Sequence, residues 1–256
     1  MQGTVRDRLR DVTPPSVRTT VQRARAAGNR RLAGSIVAVT TTSPVVSFTY
    51  DDGPHPERTP AIAAELERRG AFGTFFVLAG EAEHHPEVVR ALHRAGHEVA
   101  LHGSEHRNLR QCNLREATAI VRGGKRRLEA VIGAPVRWFR PPYGEQTRRS
   151  YLLARAAGMD VVVWDTNTRD CYAGTLDEYV GRAAERIRAG SIVLFHDGLA
   201  GPDPRVVNPD EPEPASFDRA ELARRMCDLT DERALRVVTV GTLLDHGPAR
   251  RAVWLG

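Results

Sequence analysis

Cysteine is scarce in this chain. Cys112, Cys171 and Cys227 are the three it has, an odd number with no Cys-x-x-Cys pair. That argues against a disulfide framework and for a reducing, cytoplasmic setting. Long apolar runs are missing too, and no stretch approaches the ~20 apolar residues of a membrane span. The first 31 residues hold no continuous apolar core of the kind a secretory signal needs. No aromatic residues accompany the arginines of that segment, so a stacking platform is absent and no nucleic-acid partner is expected.

Those 31 residues carry eight arginines against two aspartates, a balance of +6, whereas the whole chain is only +5. The basic character therefore belongs to the segment, and the remainder is close to neutral. After Pro14-Pro15, residues 16–32 read as a solvated amphipathic helix beside the main body. Attraction to an anionic membrane surface is the sharper alternative. The chain's 256 residues, 41% of them hydrophobic, suffice for one α/β barrel with a large core. Residues 1–44 are read as a basic helical segment and a β-hairpin, and residues 45–256 as the barrel domain.

Strands are expected at 36–39 and 45–50, as a hairpin or two short strands, and then at 72–78, 98–101, 136–139, 160–164, 192–195 and 235–239. Helices are expected between them at 59–69, 86–95, 115–132, 148–157, 176–188 and 219–229, several ended by glycine. About seven strands alternating with helices imply a parallel sheet with crossover helices. A doubly wound sheet fits that pattern, but polar clusters at most strand ends favour a distorted (β/α) barrel. Residues 198–216, rich in proline and acidic side chains, follow the last cluster and read as a surface loop or an overhang on the site.

Five clusters close the apolar runs: Tyr50-Asp51-Asp52-Gly53-Pro54, His102-Gly103-Ser104-Glu105-His106, Arg140-Pro141-Pro142-Tyr143-Gly144, Trp164-Asp165 with Asp170, and Phe195-His196-Asp197. His102 and His106 stand four apart, which in a helical turn puts both rings on one face, suited to a shared metal. Two unrelated histidines are the structural alternative. Asp51 and Asp52 are adjacent carboxylates at a strand end, and they repel unless a cation or proton intervenes. One can bind a metal while the other faces a substrate; an Asp-Gly turn is the alternative. Arg140 needs a carboxylate partner. The Pro141-Pro142 pair stiffens the chain before Tyr143, whose amide then suits a developing oxyanion. His196 reads as a general acid or a core histidine, and Asp170 as the group that orients it.

Taken together, the clusters resemble the polysaccharide deacetylases, carbohydrate esterases that include chitin and peptidoglycan deacetylases. The resemblance runs over residues 45–239. Thr49 to Pro54 is similar to the family's Thr-Phe-Asp-Asp-Gly-Pro, with tyrosine for phenylalanine. His102 to His106 looks like its His-x-x-x-His, Arg140 to Gly144 like its Arg-x-Pro-Tyr-Gly, and Leu194 to His196 like its late leucine and histidine. The resemblance implies Asp51 as general base, Asp52, His102 and His106 as metal ligands, and Arg140 as the orienter of Asp51. It implies the Tyr143 amide in the oxyanion hole and His196 as general acid, oriented by Asp170. Pro142, Tyr143 and Trp164 are expected on the substrate side. Cys171 stands where the family usually has a tryptophan that walls the sugar subsite.

What this implies is a hydrolase with one divalent metal, zinc first and cobalt, manganese or nickel as substitutes, that removes an N-acetyl group from an amino sugar. An enzyme inside the cell is expected to meet a small glycoside, a nucleotide- or lipid-linked sugar, or a natural-product intermediate. A deformylase or non-sugar amidase uses the same site. A glycan-binding barrel without catalysis and a non-haem iron oxygenase are the readings from other classes.

Overall fold

The computed structural model describes residues 34–198 and 216–254. The expected helix at 16–32 and nearly all of the 198–216 loop lie outside the described residues. The core strand is β2 (Val45–Asp51), buried along its whole length. It pairs in parallel with β3 (Thr74–Val77) on one side and β8 (Ile192–His196) on the other. Beyond β3 come β4 (Glu98–Leu101), β5 (Trp138–Phe139) and β6 (Asp160–Val161); beyond β8 comes β7 (Thr166–Asn167). These seven strands are parallel and curl into an incomplete barrel, and β9 (Arg236–Val237) joins the start of β2.

Alternation along the strands divides the core into two layers. Val46, Phe48 and Tyr50 face the helices, packed with Phe75, Leu101, Phe139 and Phe195 and with Ile62 and Leu66 of α1 (Arg58–Glu67). Tyr50 stacks between Phe75 and Phe195, with ring centroids 4.9 and 5.2 Å away. Burying each such ring contributes roughly 1.5–3 kcal/mol. Val45, Phe76, Ala100, Val162 and Ile192 face the barrel interior. Carried two residues at a time, the interior set reaches Asp51 on β2 and His196 on β8. It reaches His102 just past β4 and Arg140 just past β5. The apolar pattern that builds the barrel thus delivers the polar groups to one end of it.

The remaining wall is made by β1 (Gly34–Val39), which pairs antiparallel with β10 (Ala249–Val253). Of the two expectations for this stretch, a hairpin or two short strands, the structure has the two strands, and β1 and β2 do not pair as a hairpin. Instead β1 spans the gap in the barrel, bridging Val162 after β6 and Ser191 before β8. The helix α3 (Pro86–Ala95) ends where expected, at Gly96 in the left-handed conformation with φ 97°. Strands β5 and β6 are shorter than expected; beyond β6 the carbonyls of Val162 and Val163 accept hydrogen bonds from the Arg140 guanidinium. The short helices α2 (Ala79–His84) and α9 (Val240–Asp245), and strands β7 and β10, had no expected counterpart. None has the apolar periodicity that makes an element visible in sequence.

Candidate metal and catalytic site

Asp51 ends β2 in extended backbone, and Asp52 turns out of it at φ 76°. That left-handed conformation costs most residues on the order of 1–2 kcal/mol, though Asp tolerates it better than most. The Asp51 carboxylate is buried and meets Arg140, whose Nη1 donates to Oδ1 at 2.7 Å. Arg140 is fully buried and all its nitrogens are engaged. Nη1 also reaches Thr49 Oγ1 at 2.9 Å, Nε the Val162 carbonyl at 3.1 Å, and Nη2 the Val163 carbonyl at 3.0 Å. Its plane lies 4.0 Å from the Phe76 ring centroid. Burial pulls its pKa down, against the ion pair with Asp51 that holds it up.

His102 and His106 come together with Asp52. The His102 Nδ1–H donates to the Arg140 carbonyl at 3.0 Å, which leaves the Nε2 lone pair for a ligand. Both imidazole Nε2 atoms lie 3.3 Å from Asp52 Oδ1. One ligand atom from each of the three residues falls within 4.8 Å of the others. Asp52 Oδ1 is buried yet accepts no hydrogen bond, an orphan that a cation would satisfy. Burial brings the His106 imidazole down to about 4 despite the charge of Asp52, so it is neutral at pH 7. Burial alone would raise the pKa of Asp52. The surrounding imidazoles of His102, His106 and His196 hold it well below the usual carboxylate range. Two imidazoles and one carboxylate, with ligand atoms this close together, fit a divalent metal.

The two histidines do not lie on a helix, as their spacing suggested. They sit on a loop that neighbouring elements hold in place. Gly103, at φ 104°, makes the turn, and its carbonyl accepts from Ala79 N at 2.9 Å, at the start of α2. Ser104 N donates to the Ile120 carbonyl at 3.1 Å. Ile120 belongs to a π-turn, Ala119–Gly123, set between α4 (Leu114–Thr118) and α5 (Gly124–Ile132). The wider winding frees that carbonyl for the loop. Gly124 is required beneath it, since a Cβ there would lie 2.9 Å from Ser104 N.

Across the site, His196 is held by Asp170. The His196 Nδ1 is 2.9 Å from Asp170 Oδ1, and its backbone N–H donates to Oδ2 at 2.9 Å. Asp170 Oδ1 also accepts from Thr168 Oγ1 at 3.0 Å. Burial lowers the His196 pKa, but the charge and hydrogen bond of Asp170, then the charges of Asp52 and Asp51, outweigh it and raise the imidazole to about 9. It is thus an imidazolium at pH 7 with Nε2 free to donate. Asp51 and His196 are direct partners across β2 and β8.

Pro142 and Tyr143 form a one-turn 3-10 segment, Pro142–Gly144, over the metal-ligand side. Tyr143 takes φ 59°, and its ring centroid is 4.2 Å from that of His106. Trp164 lies behind this turn, close against Gly144, and packs edge-on to Trp254 at 5.3 Å. The Trp254 indole N–H donates to the Gly144 carbonyl at 3.0 Å. Cys171 is half-buried, and burial, with Asp170 and Asp52, pushes its thiol up to about 12. Among the described residues it is not part of the metal-ligand group.

Arg219 and Trp254 had escaped the sequence reading, and Asp197 was singled out there only as a member of the Phe195-His196-Asp197 cluster. Arg219 opens α8 (Arg219–Glu232) and reaches Asp170 Oδ2 at 2.8 Å. Asp197 is fully buried; burial raises its carboxyl to about 7, against a 2.5 Å hydrogen bond from Thr59. Its carboxylate fills the space beside Gly53, where any Cβ would collide with it. Trp254 comes from a segment of weak pattern near the chain end. Only its being one of three tryptophans could have drawn attention to it.

The family model for polysaccharide deacetylase matches residues 38–162, which include Asp51, Asp52, His102, His106 and Arg140. The chain is 31% identical over 166 residues to a chitooligosaccharide deacetylase of Azorhizobium caulinodans, covering 64% of this chain and 79% of that one. It is 34% identical over 171 residues to a chitooligosaccharide deacetylase of Sinorhizobium fredii, covering 66% and 79%. The chain belongs to the polysaccharide deacetylase family. A fold-level likeness extends to a family 4 carbohydrate esterase pseudoenzyme from Bacillus anthracis, with TM-score 0.72, 22% identity, and coverage of 85% of this chain and 71% of that one. A polysaccharide deacetylase fold thus does not settle activity by itself, and the site residues carry that question.

Proposed function

We propose that this polysaccharide deacetylase is a metal-dependent N-deacetylase. It would hydrolyse the acetamide of an amino sugar carried in a glycoside, a glycoconjugate or a natural-product intermediate. The observation that carries the reading is the disposition of two oriented pairs about one ligand group. Asp51 with Arg140 stands beside Asp52, His102 and His106, and His196 with Asp170 stands across from them. Chitooligosaccharide deacetylases among the relatives supply the substrate class, a sugar bearing an N-acetyl group.

When held by Asp52, His102 and His106, a divalent cation supplies Lewis acidity toward the amide carbonyl and a lower pKa for the attacking water; zinc is our choice, with cobalt, manganese or nickel as substitutes. Asp51, fixed by Arg140, accepts the proton of that water as it adds to the carbonyl. The Tyr143 amide, on a turn held by the Gly144–Trp254 hydrogen bond, is the donor for the developing oxyanion. His196 then gives its Nε2 proton to the nitrogen as the C–N bond breaks, leaving acetate and a free amine. An acid protonated at pH 7 and a base within the same pocket are the two requirements of amide hydrolysis.

The test is a panel of N-acetyl and N-formyl amino sugars, free and conjugated, with acetate and formate measured separately. Acetate release from amino-sugar members supports the reading. Formate release alone, or turnover of non-sugar amides alone, replaces it with deformylase or amidase chemistry.

A further inference from the structure

We propose that Arg219 is a positioning residue for the general acid: it clamps the Asp170 carboxylate and the His196 backbone together, so that the imidazole keeps Nε2 toward the leaving nitrogen. The inference rests on the deacetylase reading. A single nitrogen, Arg219 Nη1, donates to Asp170 Oδ2 at 2.8 Å and to the His196 carbonyl at 2.8 Å. Both ends of that bridge belong to the acid and its orienter. Asp170 is fully buried and Arg219 only 4% exposed, so the contact is shielded from water. Without Arg219, Asp170 Oδ2 retains, among the described residues, only the His196 backbone N–H.

Two features set this arginine apart from an ordinary helix residue. It occupies the first helical position of α8, where the helix dipole disfavours a cation. Its Nη2 is buried and has no hydrogen-bond partner among the described residues. Both are local penalties, and the Asp170–His196 bridge offsets them. The Phe217 ring, 4.8 Å below the guanidinium, keeps it planar to the task, which a lysine cannot reproduce.

The experiment compares wild type, Arg219→Met and Arg219→Lys on an N-acetyl amino sugar. It measures kcat and KM separately, and follows the His196 ring by NMR against pH, assigned by difference from His196→Gln. A well-placed general acid is worth on the order of 10²–10⁴ in rate. Arg219→Met should therefore lower kcat by about 10- to 100-fold with KM little changed, and Arg219→Lys should recover part of it. Besides Arg219, the charged and titratable groups acting on His196 among the described residues are Asp170 from the same side, Asp51 at the end of β2, Asp52 just past it, and His106 from the ligand loop. Loss of the Arg219 guanidinium leaves Asp170 more attractive to the His196 proton. The His196 titration should then move to higher pH in Arg219→Met, opposite to its movement in Asp170→Asn. A wild-type kcat in Arg219→Met, a loss confined to KM, or an unmoved His196 titration overturns the proposal. Should Arg219→Met not fold, Arg219→Lys carries the same test: an intermediate kcat supports the clamp and a wild-type kcat contradicts it. If wild type releases no acetate from any substrate, the deacetylase reading fails, and the His196 titration still decides for or against the clamp.

Discussion

At the scale of single residues, the two adjacent aspartates have different partners because their backbones differ. Asp51 stays in the strand and pairs with Arg140; Asp52 leaves it in the left-handed region and meets two imidazoles. Asp51→Asn should keep the metal and lose activity by on the order of 10²–10⁴, since an amide cannot accept the proton. Asp52→Asn should instead lose metal, and metal analysis of the two purified variants separates these roles. Equal metal loss in both would contradict the division. In the proposed mechanism the His196–Asp170 pair sets the alkaline limb. Its imidazole, near 6.5 when unfolded, is raised to about 9 in the fold, so the charged form is lost as pH rises through about 9. Asp170→Asn removes the cause, and the limb of the pH–rate profile should move to lower pH. By the same linkage the pair's contribution to stability is complete below about pH 6.5 and disappears as pH rises through about 9. The placing of these residues at one end of the sheet was legible because strand-end polar residues stand out against apolar runs, whereas the roles proposed for them came from the family resemblance. Arg219 was not legible: an arginine one residue after a capping aspartate reads as surface, and only the fold shows where its side chain goes.

Among elements, the π-turn between α4 and α5 links a helix to the ligand loop. Sequence showed one helix from 115 to 132, and the chain is indeed helical from Leu114 to Ile132, with Asn113 as its cap. The widened turn was invisible because it answers a tertiary demand, the hydrogen bond from Ser104 N to Ile120. Gly124→Ala puts a methyl against the Ser104 backbone. It should cost about 1–3 kcal/mol, the range for overpacking, and weaken metal binding. Gly123→Ala is the matched control, since a Cβ there meets nothing within 4 Å. It should leave metal affinity unchanged and, by helix propensity, stabilise by roughly 0.5–1 kcal/mol. Thermal denaturation and metal titration of the pair give the answer; equal metal affinity in both variants would uncouple the turn from the loop. The β1–β10 pairing was likewise hidden, because partners as far apart as Gly34 and Val253 leave no local signature, whereas parallel strands with intervening helices do.

For the whole molecule, alternation of side chains along the strands produces both the core and the site, and this is why so much of the catalytic end was readable before the fold was known. What sequence could not supply was closure: the barrel gap is covered by β1 and β10, and the oxyanion turn is braced by Trp254 from beyond β10. A ligand group assembled from β2 and the loop after β4 ties separate parts of the chain together. A cation at 100 times its Kd stabilises by about 2.7 kcal/mol. Saturating zinc should therefore raise Tm by about 5–10 °C in a domain of this size, and His102→Ala should abolish the rise. An equal rise in that variant would place the stabilising metal elsewhere. The most direct measurement of the central claim is acetate released from a conjugated N-acetyl amino sugar by chelated protein, as zinc is added back, with Asp51→Asn alongside. The account predicts no release from the chelated protein, recovery that saturates near one equivalent of zinc, and none from Asp51→Asn. Release that ignores zinc, or that persists in Asp51→Asn, would contradict it.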